Sequence, residues 1–196
     1  MISKIVHPEE NTKFQVTENT QFIALFNDYP DGKECKIELE FNTEGISAEI
    51  ICLYRLPERK SLHLTTVAKH IVPHTSCNTV VRGVLESKTD SYYIGKILIK
   101  KQAQQTSSYL SDRVLVLGDG VKNNSEPILE IEADDVSASH GASTGRINPD
   151  EIYYLQSRGL NEKESSDLIV EGFFNKVLET IADPEVRELA ANAVKS

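Results

Sequence analysis

An all-β body followed by a short helical tail is the fold class that this sequence predicts. Three observations predict it. From Ile37 onward apolar residues recur at every second position, the alternation of a pleated strand with one face buried. Turn-forming clusters separate these runs. Near Gly145 the period changes from two to the three-and-four spacing of a helix, with capping residues at its start. At 196 residues and 39% hydrophobic, the chain is long enough for one sizeable core and too short for two full domains of ordinary size.

Taken in order, Ile37, Leu39 and Phe41 alternate with Glu38 and Glu40. Ile46, Ala48, Ile50, Cys52 and Tyr54 share a face. Ser47 and Glu49 point away from it, while Ile51 and Leu53 extend burial to the second face. Leu62, Leu64 and Thr66 continue the pattern, followed by runs at 80–84, 92–99, 114–117 and 128–133. Turn signals stand between them at 30–32, 43–45, 118–120 and 123–127. The count is roughly eight to ten short strands with no helix before residue 148. Two-residue Asn-Gly or Asp-Gly hairpins are scarce, which leans away from a simple meander. A sandwich, a barrel and a solenoid all stay open, since no fixed repeat length stands out.

The tail begins at Asn148, an N-cap before Pro149, Asp150 and Glu151, and its first helix ends at Gly159. Asn161 with Glu164 makes a capping box for a second helix. That helix carries Leu168, Ile169, Phe173, Val177 and Ile181, widened by Val170, Phe174 and Leu178. A stripe so wide is either covered by the neighbouring helices or meets a partner. Asp183 and Pro184 start a third helix. The expected division is a β body over residues 1–147 and a helical domain over residues 148–196.

A net charge of −9 argues against a nucleic-acid binder. No apolar run reaches the length of a membrane span, and the start lacks a signal peptide's apolar region. Cys35, Cys52 and Cys77 form an odd set without a CxxC pair, which argues against a disulfide framework. A cytoplasmic protein is expected. The phosphate-loop, dinucleotide, nucleophile-elbow and HExxH motifs are absent, and no arrangement implies a triad. His70 and His74 are four apart, but Pro73 between them argues against a shared helical face. Residues 130–143 crowd four carboxylates, several hydroxyls and His140 together. Two readings stay open for them: a strand end leading into the tail, or a hard-ligand or interaction surface.

The segment from Val67 to Val84, with His70-Ile-Val-Pro-His-Thr75 and Arg82-Gly83, resembles the H-x-x-P-H-T…R-G signature of the SufB/SufD family. Its members are scaffold subunits of SUF iron–sulfur cluster assembly. Gly95-Lys-Ile97, Gln102 to Thr106, Pro127 to Val136, Ser139-His-Gly-Ala142 and Tyr154 to Leu160 follow in the family's order, so the likeness covers most of the chain from about Ile46. The stretch Ala133-Asp-Asp-Val…Ser139-His-Gly-Ala142 is more similar to SufD than to SufB.

The resemblance implies a right-handed parallel β-helix (β-solenoid) followed by a small α-helical C-terminal domain. It implies a non-catalytic scaffold or partner subunit that dimerises through the β-helix, with itself or with a SufB/SufD paralogue. The helices would dock an ABC-type ATPase, SufC, and iron or an iron–sulfur cluster would be held transiently. His140 keeps the family's ligand position at the subunit interface, whereas the family's Cys two residues earlier is Ala138 here. An alanine methyl cannot hold iron or sulfide. Cys77 is the other thiol candidate. Tyr153, Tyr154, Arg158 and Phe173 are the candidates for ATPase docking, against core packing for either tyrosine and helix capping for Arg158. The chain is also much shorter than the family's members, as if the N-terminal helical domain and several rungs were missing. Two alternatives accompany this expectation: a metal-dependent enzyme or iron carrier using residues 130–135 with His140, and a solenoid adaptor that has lost the metal.

Overall fold

The structure, a computed structural model, describes residues 1–8, 11–27 and 29–195. Among these, eleven strands precede three helices. They are β1 (Ile2–Val6), β2 (Thr12–Val16), β3 (Thr20–Leu25), β4 (Glu34–Phe41), β5 (Ser47–Leu56), β6 (Ser61–His70), β7 (Ser76–Leu85), β8 (Asp90–Ile99), β9 (Thr106–Val116), β10 (Lys122–Ile131) and β11 (Val136–Arg146). Odd strands stack in one sheet in the order β1-β3-β5-β7-β9-β11, even strands in a second in the order β10-β8-β6-β4-β2, and every pairing is parallel. Each strand thus pairs with the strand two places on, which makes the body a parallel β-solenoid of about five turns.

Stacking rungs puts like positions above one another. Ser47 pairs with Ser76, 29 residues on, and Ser76 with Ser107, 31 residues on. Inward columns follow, such as Ala48–Cys77–Ser108–Ala138 and Phe41–His70–Ile99–Ile131. Their buried members form one interior cluster of largely aliphatic residues between the sheets. Glycine is required where a large ring crosses a rung: a Cβ at Gly83 would lie 2.2 Å from the Tyr54 ring, and one at Gly95 only 2.3 Å from Leu110 Cδ1.

The second face expected for Ile51 and Leu53 is real. With Ile23 and Val84 they meet Val170, Phe174, Val177, Leu178, Ile181, Ala190 and Val194 in a second apolar cluster on the outside of the odd-strand sheet. The helices involved are α2 (Glu162–Leu178) and α3 (Pro184–Val194), joined to the body through α1 (Pro149–Ser157). All three N-caps expected from the sequence form: Asn148 accepts from the Asp150 N–H, Asn161 and Glu164 make the reciprocal capping box, and Asp183 accepts from the Glu185 N–H. Gly159, at φ +100°, ends the first helix.

Polar contacts fix the same docking. The Gln21 carboxamide, buried on β3, donates to the Thr180 carbonyl at 2.8 Å and accepts from the Ala182 N–H at 2.9 Å. Covering the α2 stripe therefore falls mainly to the sheet and α3, not to α1 and α3. The acidic segment is not one continuous strand. β10 stops at Ile131, residues 132–135 form a corner, and β11 continues to Arg146. Among the described residues no helix is long and apolar enough to cross a membrane.

Candidate functional site

β10 and β11 form the last rung, paired on one side only, with β8 and β9. Alternation and register turn Asn123, Ser125, Pro127, Leu129 and Ile131 of β10 inward, and likewise Ala138, His140, Ala142 and Thr144 of β11. In earlier rungs such positions are sealed by the next turn. Here no rung follows, so Leu129 and Ile131 stay 36% and 41% exposed and the His140 imidazole reaches solvent. Both strands leave one row of backbone N–H and C=O groups unpaired at this end, the chemistry of a sheet edge open to another chain. A soft apolar pair and an imidazole are thus presented together at one end of the solenoid.

His140 pairs with Leu110 of β9 and stands two residues from Ala138, whose methyl packs against the interior above Ser108. Cys77 lies in that same column, one strand below Ser108. It is 3% exposed, and burial pushes its thiol up to about 12. A neutral thiol inside the core is separated from His140 by an intervening strand. Cys35 and Cys52 are likewise buried.

His70 and His74 part company, as Pro73 requires. His70 is fully buried at the end of β6, its ring stacked on Phe41 at 4.5 Å. Its Nδ1 and Nε2 meet the hydroxyls of Thr75 at 2.8 Å and Ser108 at 3.2 Å. Burial lowers its pKa to about 4, so the neutral ring acts as a pin between rungs. His74 is exposed in the adjoining turn with φ 57°. The carboxylates of the corner are dispersed too, with Glu132 held by Lys100. Among the described residues no three of His, Cys, Asp and Glu come together in a way that could hold a metal ion.

On the helices, Tyr153 and Tyr154 are 74% and 57% exposed, so neither is core. The Arg158 guanidinium sits 5.3 Å from the Tyr154 ring centroid, a cation–π contact. Asp150, Glu151, Tyr154, Leu155, Leu168 and Ile169 line a shallow groove between α1 and α2. Phe173 is not part of it. It is half-buried against the second apolar cluster and packs edge-on to Phe174, 5.5 Å away. The structure thus gathers Tyr153, Tyr154 and Arg158 on one exposed helix, sends Phe173 toward the sheet, and puts His140 on the separate open rung. Alternation alone would have shown Leu129 and Ile131 inward; their exposure follows from their being on the last rung, which no local pattern announces.

Residues 33–173 match the family profile described as "SUF system FeS cluster assembly, SufBD core domain". An iron-sulfur cluster assembly SufBD family protein of Mycobacterium leprae is 34% identical over 165 residues, 80% of this chain and 42% of the relative. The iron-sulfur cluster assembly protein SufD of Bacillus subtilis is 31% identical over 180 residues, 92% of this chain and 35% of the relative. The SufD of Escherichia coli is 31% identical over 114 residues, 57% of this chain and 27% of the relative. The chain therefore spans less than half the length of these relatives. The parallel solenoid, the matched core profile and the relatives over four fifths or more of the chain agree: it belongs to the SufBD family of the SUF iron–sulfur cluster assembly system.

Proposed function

We propose that the protein is a SufD-like partner subunit of a SUF assembly, without reaction chemistry of its own, that pairs through its open last rung and offers α1 and α2 to an ABC-type ATPase. The observation that carries this is the uncapped rung, where inward-facing Leu129 and Ile131 are left in water beside His140 and two unpaired strand edges. Pairing with a second copy or with a paralogue would bury them and bring His140 to the junction. Iron or a nascent cluster, as cargo, would meet an imidazole there and no thiolate from Ala138.

The helices supply a second surface. Tyr153 and Tyr154 are large, exposed and make no contact that the solenoid needs, which suits an interface anchor. α2 rests on β3, β5 and β7, so a pull on the helices by a nucleotide-driven partner would reach the stacked rungs directly.

Size-exclusion chromatography with light scattering, on the chain alone and with the SUF-type ATPase of the same source, tests the proposal. A complex with two ATPase copies per dimer is expected, lost in Tyr153→Ser/Tyr154→Ser. A chain that ignores the ATPase would overturn the docking role. A monomer at high concentration that also ignores SufB/SufD paralogues would overturn the pairing role.

A further inference from the structure

Beneath the last rung the interior changes character. Asp112, in the middle of β9, is 1% exposed, and it shares the inward face with Leu110 and Val114. Its Oδ1 has no hydrogen-bond partner, and no ion pair reaches the carboxylate among the described residues. The Arg82 charge favours the carboxylate, but this side chain lies on the outer face of the sheet, bonded to the Val81 carbonyl and the Ser111 hydroxyl.

Two more buried oxygens lie on the facing strand. They are Asn123 Oδ1 and Ser125 Oγ, both inward on β10. Burial raises the Asp112 pKa on balance, opposed by a hydrogen bond from the Ser125 hydroxyl and by the Arg82 charge. Asn123 is anchored to β11, its amide donating to Thr144 Oγ1 at 2.7 Å. Thr144 stands two residues beyond Ala142, which pairs with Asp112 and contributes only a methyl group above it. Thus β9, β10 and β11 turn a carboxylate, an amide oxygen and two hydroxyls toward the same end of the solenoid.

Buried acceptors need a donor or a positive charge. Asp112 Oδ1 and Asn123 Oδ1 can only accept and have no partner, and the Asn123 amide donor is already engaged. The oxygen-only chemistry suits a hard cation. A single carboxylate balances one positive charge, whereas a divalent ion would leave a charge uncompensated in the interior.

We propose that Asp112, Asn123 and Ser125 form a binding site for a monovalent alkali cation inside the last turn, separate from His140. The bound ion ties β10 to β9 across the interior and so holds the open rung in shape.

The test uses the full chain and simple salts. Thermal melts in sodium or potassium chloride are compared with N-methylglucamine chloride at equal ionic strength, and crystals soaked in rubidium chloride are checked for anomalous density. The wild-type chain is expected to melt about 3 °C higher in the alkali salts. Asp112→Asn is expected to melt alike in all of them, and His140→Ala to keep the full difference. A rubidium peak among the three side chains is expected in the wild type. Melting that does not depend on the cation, a difference that survives Asp112→Asn, or density there without anomalous signal would overturn the site. The last result would assign the space to water or to a protonated carboxyl. Should Asp112→Asn fail to fold, the wild-type melts and the rubidium density decide.

Discussion

The Tyr54 ring runs across Gly83 so closely that a β-carbon at that glycine would sit 2.2 Å from two ring carbons and 2.4 Å from the hydroxyl oxygen. Tyr54 is fully buried, its hydroxyl facing Ser91 Oγ at 3.3 Å, so the ring has little room to retreat. Gly83→Ala is therefore expected to destabilise the fold by about 2–3 kcal/mol, the range of an overpacked core. Urea denaturation measures it. Combining the change with Tyr54→Leu should cost less than the sum of the two single changes; strict additivity would show that the ring is not the obstacle.

Glu40 receives Lys13 Nζ at 2.9 Å and Lys69 Nζ at 2.7 Å on the outer face of the even-strand sheet, and these bonds lower its pKa to about 2. A carboxyl whose folded pKa is depressed stabilises the fold above its unfolded value of 4.5 and loses that contribution as pH falls toward 2. Both lysines are partly exposed, so screening reduces the effect to about 1 kcal/mol. Glu40→Gln is expected to flatten the stability profile between pH 4.5 and 2. An unchanged profile would remove Glu40 from the acid response.

His70 acts at milder acidity. Its pKa is about 4 in the fold against 6.5 in a solvated chain, so the unfolded state takes up the proton first. Its stabilisation is complete above pH 6.5 and drains away as pH falls toward 4. In NMR titration the His70 ring should stay neutral down to about pH 4. Titration near the ordinary imidazole value would contradict its stacking between Phe41 and the Ser108 hydroxyl.

The cysteines are expected to be chemically silent. Cys52 and Cys77 are both pushed upward by burial, and all three thiols are enclosed by the core. Iodoacetamide at mildly alkaline pH should leave the native chain unmodified and alkylate every cysteine in denaturant. Rapid native labelling at Cys77 would restore it as a thiol ligand.

Phe174 is the centre of the tail's grip on the sheet, 1% exposed among Ile23, Ile51, Leu53 and Val84. Phe174→Ala should cost about 3–4 kcal/mol. Tyr153→Ser on the exposed helix should change stability by less than about 0.5 kcal/mol. Equal costs would mean that the two helical faces are not divided between packing and presentation.

These contrasts show where the sequence was readable. The run from Ile46 to Tyr54 gave its inward face by alternation, and Ile51 and Leu53 gave the second buried face, because each signal is local to one strand. The helix caps were legible for the same reason. The solenoid itself was not, since rung spacing varies from 29 to 31 residues even between β5 and β9, and the inward column at Tyr54 changes to Gly83 and then Val114. A repeat of shape without a repeat of letters shows no period. The resemblance supplied what periodicity could not. The α2 stripe announced that it would be covered without saying by what, since Ile23, Ile51 and Val84 come from three separate strands. Asp112 was equally hidden: a carboxyl at an inward position is visible in the Leu110–Val114 alternation, but its facing partners Asn123 and Ser125 belong to the next strand.

A stack of rungs is close to one-dimensional, each turn holding only its neighbours, so such a body tends to unzip from its ends. The helical tail removes that freedom. Asp183 donates its N–H to Ser3 Oγ on β1, Thr180 is held by β3, and Leu115 and Leu117 at the far end of β9 join the same apolar seam. One segment thus splints rungs far apart in sequence, and the chain should melt in a single cooperative step instead of fraying turn by turn.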